Sequence, residues 1–251
     1  MSEKGDPRPT MPLPVAHSLM GYALSEATSV RLVKKKWWNV CAFVALANLP
    51  DIDYLPGFLM GQPNRFHHML AHSFGFAALA GLLAGLIFWQ LRRKAGPQES
   101  GYEYRLWPYF LIVSIAVLSH CLLDLFTVDT SAPQGMMLLW PLDRSYYDVS
   151  WDIFQSVHKS DASATFLLSL MQWYNFKIAL WEALMMLPIV ALAKKIRQLR
   201  FWPNRRRSRN LENTQVARLG LLEVSPLPPA LTGRRSLTSL VEAAERDESE
   251  E

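Results

Sequence analysis

Three apolar stretches, Met69 to Gln90, Trp107 to Val128 and Ala164 to Ala193, govern what this chain can fold into. Each is long enough, at ~1.5 Å per helical residue, to cross a hydrocarbon core of ~30 Å. Inside hydrocarbon every backbone N–H and C=O must be satisfied within the segment, so runs of this length are read as helices. Two shorter apolar helices fit ahead of them. One starts at Pro14, a residue suited to a first helical turn, and could reach Lys34. The other runs from Trp37 to Leu49 and stops at Pro50, which pushes the preceding residue out of the helical region. The expected fold is all-α: a polytopic transmembrane helical bundle of about four to five membrane helices with a disordered C-terminal tail. Residues 1–13 read as a polar, Pro-rich disordered lead, residues 14–199 as the membrane-embedded domain, and residues 200–251 as a basic, then acidic tail. That tail is too poor in apolar residues for a core, with room for a short helix around Ser236 to Arg246.

Charge placement supports this reading. The net charge of +4 comes largely from runs such as Lys34-Lys35-Lys36, Arg92-Arg93-Lys94, Lys194-Lys195 and Arg205-Arg206-Arg207. Each run abuts an apolar segment, as topology signals do, so no nucleic-acid partner is expected. Cys41 and Cys121 lie within apolar stretches and read as small buried hydrophobes, not as a disulfide. Met1 to Pro14 has no apolar core, so no cleavable signal peptide is expected. Trp140, Tyr146, Tyr147 and Trp151 suit a membrane–water interface, and Gly75, Gly81 and Gly85 would let helices approach closely.

Against so apolar a background the ionisable residues stand out. His120 and Asp124 sit in the run Leu111 to Thr127 at i and i+4, on one helix face, where each costs a few kcal/mol near a bilayer centre. His68 and His72 have the same spacing at the start of the preceding span, beside His67. Asp51 and Asp53 follow Pro50 on a turn, and His17 opens the first helix. Taken singly, each histidine is most simply a hydrogen-bonded interface residue. Taken together they obey one rule. If the Lys/Arg runs at 34–36, 91–94 and 194–200 mark cytoplasmic ends, every one of these residues falls at the opposite end, near the outer leaflet. Residues 200–251 would then be cytoplasmic. His and Asp at one depth form a ligand set for a divalent metal ion, and such a shell suits zinc, iron or manganese without choosing among them. The candidate ligands are His17, Asp51, Asp53, His67, His68, His72, His120 and Asp124, and Asp53 and His72 are the candidate catalytic residues. A bound ion lowers the pKa of its water toward neutrality, and two ions could hold a phosphate ester in line.

Other polar residues rank lower. Lys177 and Glu182, five apart on the last span, are spaced for a loose structural pair. His158 and Asp161, near Asp152, could add a ligand or a base from the outer loop. Arg144 is placed to meet a phosphate, though a solvated loop arginine is the plainer reading.

His17, the Leu49-Pro50-Asp51-Ile52-Asp53 turn, the His67 to Ser73 cluster, Ser119-His120-Cys121-Leu122-Leu123-Asp124-Leu125-Phe126-Thr127 and Leu138-Leu139-Trp140-Pro141 occur in the order seen in one known group. Over residues 14–160 the chain resembles the membrane-bound metal-dependent hydrolase family, bacterial inner-membrane proteins described as LexA-regulated or LexA-binding. The order of His and Asp is also similar to zinc-dependent phospholipase C and related single-strand nucleases. That resemblance implies a helical fold, a metal cluster acting on phosphodiesters, and His17, Asp51, His67 or His68, His120 and Asp124 as ligands. The family's middle motif, His-Arg-Gly-x-Thr-His-Ser, is replaced here by His67-His68-Met69-Leu70-Ala71-His72-Ser73. The later His and Glu ligands of the phospholipase have no counterpart, which implies a reduced mono- or dinuclear site.

The expected function is therefore an inner-membrane, metal-dependent hydrolase. It would act by metal-activated water on a phosphoester or lipid-linked substrate at the outer membrane face. A metal transporter or sensor is the alternative, ranked lower because inner segments such as Leu82 to Trp89 offer almost no polar route. A regulatory membrane protein, contacting a protein or anionic lipid through the basic tail Arg200 to Arg209, is another.

Overall fold

A computed structural model describes residues 13–94, 105–127, 134–149, 151, 153–155, 157–160 and 162–223, with side chains to residue 200. Seven helices carry the fold among these residues: α1 (Pro14–Ala27), α2 (Lys36–Ala47), α3 (Tyr54–Leu59), α4 (Phe74–Lys94), α5 (Trp107–Asp124), α6 (Ser163–Leu170) and α7 (Trp173–Glu223). Short 3₁₀ turns at Leu49–Asp53, Pro63–Phe66 and Leu70–His72 link α2 to α4. No strand forms among the described residues; Thr127 with Phe154 and Met136 with Tyr147 make isolated bridges. From residue 201 the chain forms a separate unit, described only as backbone helix to Glu223. The expected helix at Ser236 to Arg246, and residues 1–12 of the lead, lie outside the described residues.

The bundle is all-helical, but the number of spans expected from sequence is too high. Among the described residues, three helices are long and apolar enough to cross a membrane: α4, α5 and the stretch Trp173–Arg200 of α7. With 14 and 12 residues, α1 and α2 reach only ~21 and ~18 Å. The first helix ends at Ala27 rather than Lys34 because the chain turns extended at Thr28. Leu32 and Val33 then donate their N–H groups to the Asn39 side chain, at 2.7 and 3.2 Å, instead of continuing a helical ladder. The loop expected after Asp53 holds α3, and the stretch Ala164 to Ala193 breaks at Met171–Gln172 into α6 and α7. The α7 backbone stays helical through Pro188.

α4 and α5 pack closely where α4 has glycine. A Cβ on Gly81 would overlap the Ser114 hydroxyl and come within 2.9 Å of the Phe110 carbonyl oxygen. The core beside this seam is Phe43, Ala77, Tyr109, Val113, Ala116 and Val117. The outward faces of α4 and α7, with Leu83, Ile87, Leu180 and Leu184 exposed, are surfaces that lipid accepts and water does not.

Two caps fix the helix ends that carry the candidate ligands. At α4, Ser73 takes the N-cap position: its hydroxyl accepts the Phe76 N–H at 3.0 Å and donates to the Leu70 carbonyl at 2.6 Å. The Phe74 and Gly75 N–H groups bond the carbonyls of Leu138 and Trp140, at 2.9 and 3.0 Å. The Leu138–Pro141 motif thus closes the N-terminus of a membrane helix. At α1, the carboxylate of Glu182 on α7 accepts the N–H groups of Leu13 and Ala16, the latter at 3.1 Å. Glu182 is fully buried and Lys177 is exposed, so the loose pair expected from their spacing is replaced by a cap on a distant helix.

Candidate metal centre

Because Glu182 and Ser73 set where α1 and α4 begin, His17 and His72 arrive beside the last turn of α5. His17 is fourth in α1, His72 ends the 3₁₀ turn before α4, and Asp124 is the final residue of α5. Asp51 and Asp53 come from the turn that follows α2. The cluster therefore lies at one end of α4 and α5, ~30 Å along α4 from its basic triplet Arg92-Arg93-Lys94.

Asp124 is the hub. Its Oδ1 lies 3.2 Å from His17 Nε2, and its Oδ2 lies 3.1 Å from His120 Nε2 and 3.2 Å from His72 Nε2. The two latter nitrogens are 3.2 Å apart, and Asp51 Oδ1 approaches His120 Nε2 at 3.5 Å. The His17 and His120 rings stack with centroids 3.8 Å apart. His17, His72, His120 and Asp124 are buried, whereas the Asp51 side chain is 24% exposed and forms the open edge. Neither Asp124 oxygen takes a conventional hydrogen bond.

The far sides of the rings settle which nitrogen faces inward. His120 Nδ1 lies 2.8 Å from the Ala47 carbonyl oxygen, which can only accept, so Nδ1 carries a proton and Nε2 is the nitrogen turned to the centre. His72 Nδ1 faces Asp53 Oδ2 at 2.9 Å, and His67 Nδ1 faces Asp53 Oδ1 at 3.1 Å. Asp53 is thus turned toward two ring nitrogens and stands behind the histidines, as orienting carboxylates do in metal sites. His72 Nε2, His120 Nε2 and Asp124 Oδ2 converge at close to 3 Å, an arrangement that positive charge, a proton or a cation, would stabilise.

Electrostatics at the cluster's edge agree. Burial alone would lower the His72 pKa, but Asp53 and Asp124 outweigh it and raise it to about 9. Burial likewise works to raise the Asp51 carboxyl, yet the His120, His17 and His72 rings hold it below its usual value. Burial, with His120 alongside, lowers His17. Burial with His68, His72 and Lys159 nearby holds His67 well below the ordinary imidazole value. The carboxylates thus favour positive charge at His72, whereas burial favours neutral rings at His17 and His67.

Three groups of donors could each hold an ion, with their ligand atoms mutually within 4.8 Å: His17, His120 and Asp124; Asp51, His72 and His120; and His67, His68 and His72. The structure gathers all eight sequence candidates into one neighbourhood, but it corrects one expected geometry. His68 and His72 are not helical neighbours: both precede α4, and His68 has φ 64°, a left-handed conformation uncommon outside glycine. The Met137 N–H bonds the His68 carbonyl at 3.1 Å, anchoring that turn.

Residues 11–199 match the family model described as YdjM inner membrane protein. The chain belongs to the YdjM inner membrane protein family. This is the LexA-regulated group to which the motifs pointed, and the match spans every candidate ligand. With three helices able to cross a bilayer, this YdjM-family chain is an inner-membrane protein. No curated protein and no solved structure matches it.

The remaining candidates fall elsewhere in the YdjM-family fold. His158 stacks on Tyr174 at 4.0 Å, and its backbone N–H and C=O are bound by the Asn175 side chain, at 2.9 and 2.7 Å. Arg144 is exposed on the 134–149 loop, and Asp152 and Asp161 lie outside the described residues. Sequence reasoning missed Tyr54 and Lys159. Tyr54 stacks on His67 with centroids 4.4 Å apart, and the Lys159 ammonium donates to the Tyr54 oxygen at 2.7 Å. A tyrosine directly after Asp53 was the one available signal.

Proposed function

We propose that this inner-membrane protein is a metal-dependent hydrolase acting on a phosphoester or lipid-linked substrate at the outer membrane face. The observation that carries the reading is the convergence of His72 Nε2, His120 Nε2 and Asp124 Oδ2 within 3.2 Å of one another. The two ring nitrogens are aimed inward by Asp53 and the Ala47 carbonyl. His17, His72, His120, Asp124 and Asp51 would hold the first ion. His67 and His68 stand ready for a second. A shell of His and Asp suits zinc, and iron or manganese could also use it. A divalent ion held there supplies a Lewis acid and a water of lowered pKa.

The protein's own contribution is position. Asp53 and His72, the expected catalytic residues, act as an orienting pair: the carboxylate holds the ring so that Nε2 faces the centre. Asp51, partly exposed, would complete the ion's shell at its open edge, where water or substrate could enter. Ile52 beside Asp51, and Leu55 and Leu59 on α3, are exposed, a surface matched to a substrate that approaches from lipid. Location on the outer face, with the tail cytoplasmic, rests on the basic runs at the other end of the bundle. The phosphoester class rests on the similarity in ligand order to zinc-dependent phospholipase C.

The test is metal content. Detergent-purified wild-type protein is expected to carry near-stoichiometric metal by elemental analysis, and His120→Ala and Asp124→Ala to lose it. Equal and negligible metal in all three would overturn the reading. A screen of phosphodiesters and lipid phosphates on the loaded protein then defines the reaction.

A further inference from the structure

The turn that aims Asp53 at the cluster has an apolar far side. The 3₁₀ turn Leu49–Asp53 runs directly into α3. Asp53 and Gly57 are buried, while Ile52, Leu55, Pro56 and Leu59 are exposed, spaced as one helical stripe at i, i+3, i+4 and i+7. α6 repeats the pattern. Its Phe166 is buried, edge-on against Phe58 of α3 with ring centroids 4.9 Å apart, and its Leu167 and Leu168 are exposed. The Ser163 hydroxyl donates to the Phe58 carbonyl at 3.2 Å and ties the two short helices together. The sequence has no charged residue between Asp53 and Arg65 or between Asp161 and Lys177. Single exposed leucines are ordinary, but two packed helices that turn leucines outward with no charge among them make a contact surface.

Depth and continuity indicate what covers it. Glu182 marks the cluster's level on α7, because its carboxylate caps α1 beside His17. From Trp173, where the apolar span starts, to Glu182 is ~14 Å along the helix. Leu180 and Leu184 are exposed at that level, as lipid-facing residues of a span are. The end of the bundle that carries the cluster is therefore sunk into the hydrophobic layer. On the other side, the Leu49–Asp53 turn packs on the Leu70–His72 turn, where exposed Leu70 and Phe74 lead into the outward side of α4. With six and eight residues, α3 and α6 reach only ~9 and ~12 Å and cannot cross a bilayer. A short helix with an apolar outward face can lie along the plane of a leaflet.

We propose that α3 and α6 form an in-plane membrane platform, with Leu55, Leu59, Leu167 and Leu168 seated among the acyl chains of the leaflet on the cluster's side. The occupant of the patch is lipid, continuous with the lipid around α4 and α7. The seating stands without any metal. Its consequence for the substrate, an amphiphile delivered from the leaflet and not a solute from bulk water, rests on the metal-hydrolase reading.

The experiment places a bimane label on the full chain in lipid nanodiscs, in a Cys41→Ser, Cys121→Ala background. The label goes at Leu55→Cys or Leu59→Cys on α3 and at Leu167→Cys or Leu168→Cys on α6. Leu79→Cys, exposed on α4, is the lipid control, and Arg144→Cys, exposed on the 134–149 loop, is the aqueous one. Two positions on each helix keep the result readable where one label unsettles the fold, and zinc content is measured in parallel. Platform labels should be quenched by lipids carrying a nitroxide near the headgroup end of the acyl chain as strongly as the Leu79 label. They should lose most of the iodide quenching seen at Arg144. Iodide quenching at the Arg144 level without lipid quenching means that the helices face water, and overturns the proposal. Shielding from both quenchers means that a second copy or another protein covers them, and overturns it as well. Lipid-quenched labels on protein that carries no zinc keep the platform and overturn the metal reading. Iodide-quenched labels on zinc-loaded protein do the reverse.

Discussion

Asp53 Oδ2 lies 2.9 Å from His72 Nδ1, on the side of the ring turned away from His120 and Asp124. The carboxylate touches the imidazole without entering the space between the inward-facing nitrogens. Its other oxygen does the same for His67 at 3.1 Å. One side chain thus governs the orientation of two candidate ligands.

Asp53→Asn should therefore keep the donor set and lose its alignment. Metal affinity is expected to fall by about 10–100-fold, the usual cost of losing an orienting partner. Competition with a chelator of known affinity measures it, and an unchanged value would remove Asp53 from the site.

The cap from Glu182 predicts a stability effect far from any substrate. Glu182→Ala leaves the N–H groups of Leu13 and Ala16 without their acceptor. The loss should be about 1–2 kcal/mol, that of an N-cap. Glu182→Gln keeps an acceptor oxygen and should cost less. Thermal unfolding in detergent separates the two. Because His17 is the next residue after Ala16, the alanine variant should also bind metal more weakly.

Gly81 sets the spacing of α4 and α5. Gly81→Val would drive a side chain into Ser114 and the Phe110 carbonyl. Overpacking of this kind costs about 1–3 kcal/mol. Exposed positions on the same helix, such as Leu83→Val, should change the melting temperature far less.

The 134–149 loop carries its own pH dependence. Asp143 accepts from the Tyr147 hydroxyl at 2.6 Å and from the Ser145 N–H and hydroxyl, both at 2.9 Å. The Tyr147 bond, more than those from Ser145, lowers its pKa to about 2, below the ordinary ~3.9 of an unfolded chain. A carboxyl lowered on folding stabilises the loop fully above its unfolded value, and the contribution disappears as pH falls through about 2. Amide exchange of residues 134–149 should accordingly be protected at pH 5 and loosen between pH ~4 and 2, relative to the intrinsic rate. Asp143→Asn should flatten that dependence.

Much of the site was legible in the sequence because its residues are expensive where they stand. Asp124 and His120 in an apolar run, and carboxylates after Pro50, announce themselves by contrast with their surroundings. The spans were legible from length alone, whereas the shorter α1 and α2 were over-counted because apolar character persists where helical length does not. The start of α4 was misplaced because hydropathy averages across Ser73, although a serine ahead of an apolar run is a recognisable N-cap. Glu182, Lys159 and the left-handed His68 were beyond reach for a different reason. Each is explained by a partner far away in sequence: Leu13 and Ala16, Tyr54, and Met137. Local pattern carries no record of such pairs.

The cap on α1 has a consequence for how the protein is made. A chain entering the membrane from its N-terminus presents all eight candidate ligands once residue 124 has emerged, but Glu182 belongs to α7, the last of the three described spans. Until that span inserts, Leu13 and Ala16 have no acceptor, and the helix bearing His17 has no anchor at its start. The assembly of the site is thereby tied to completion of the membrane domain.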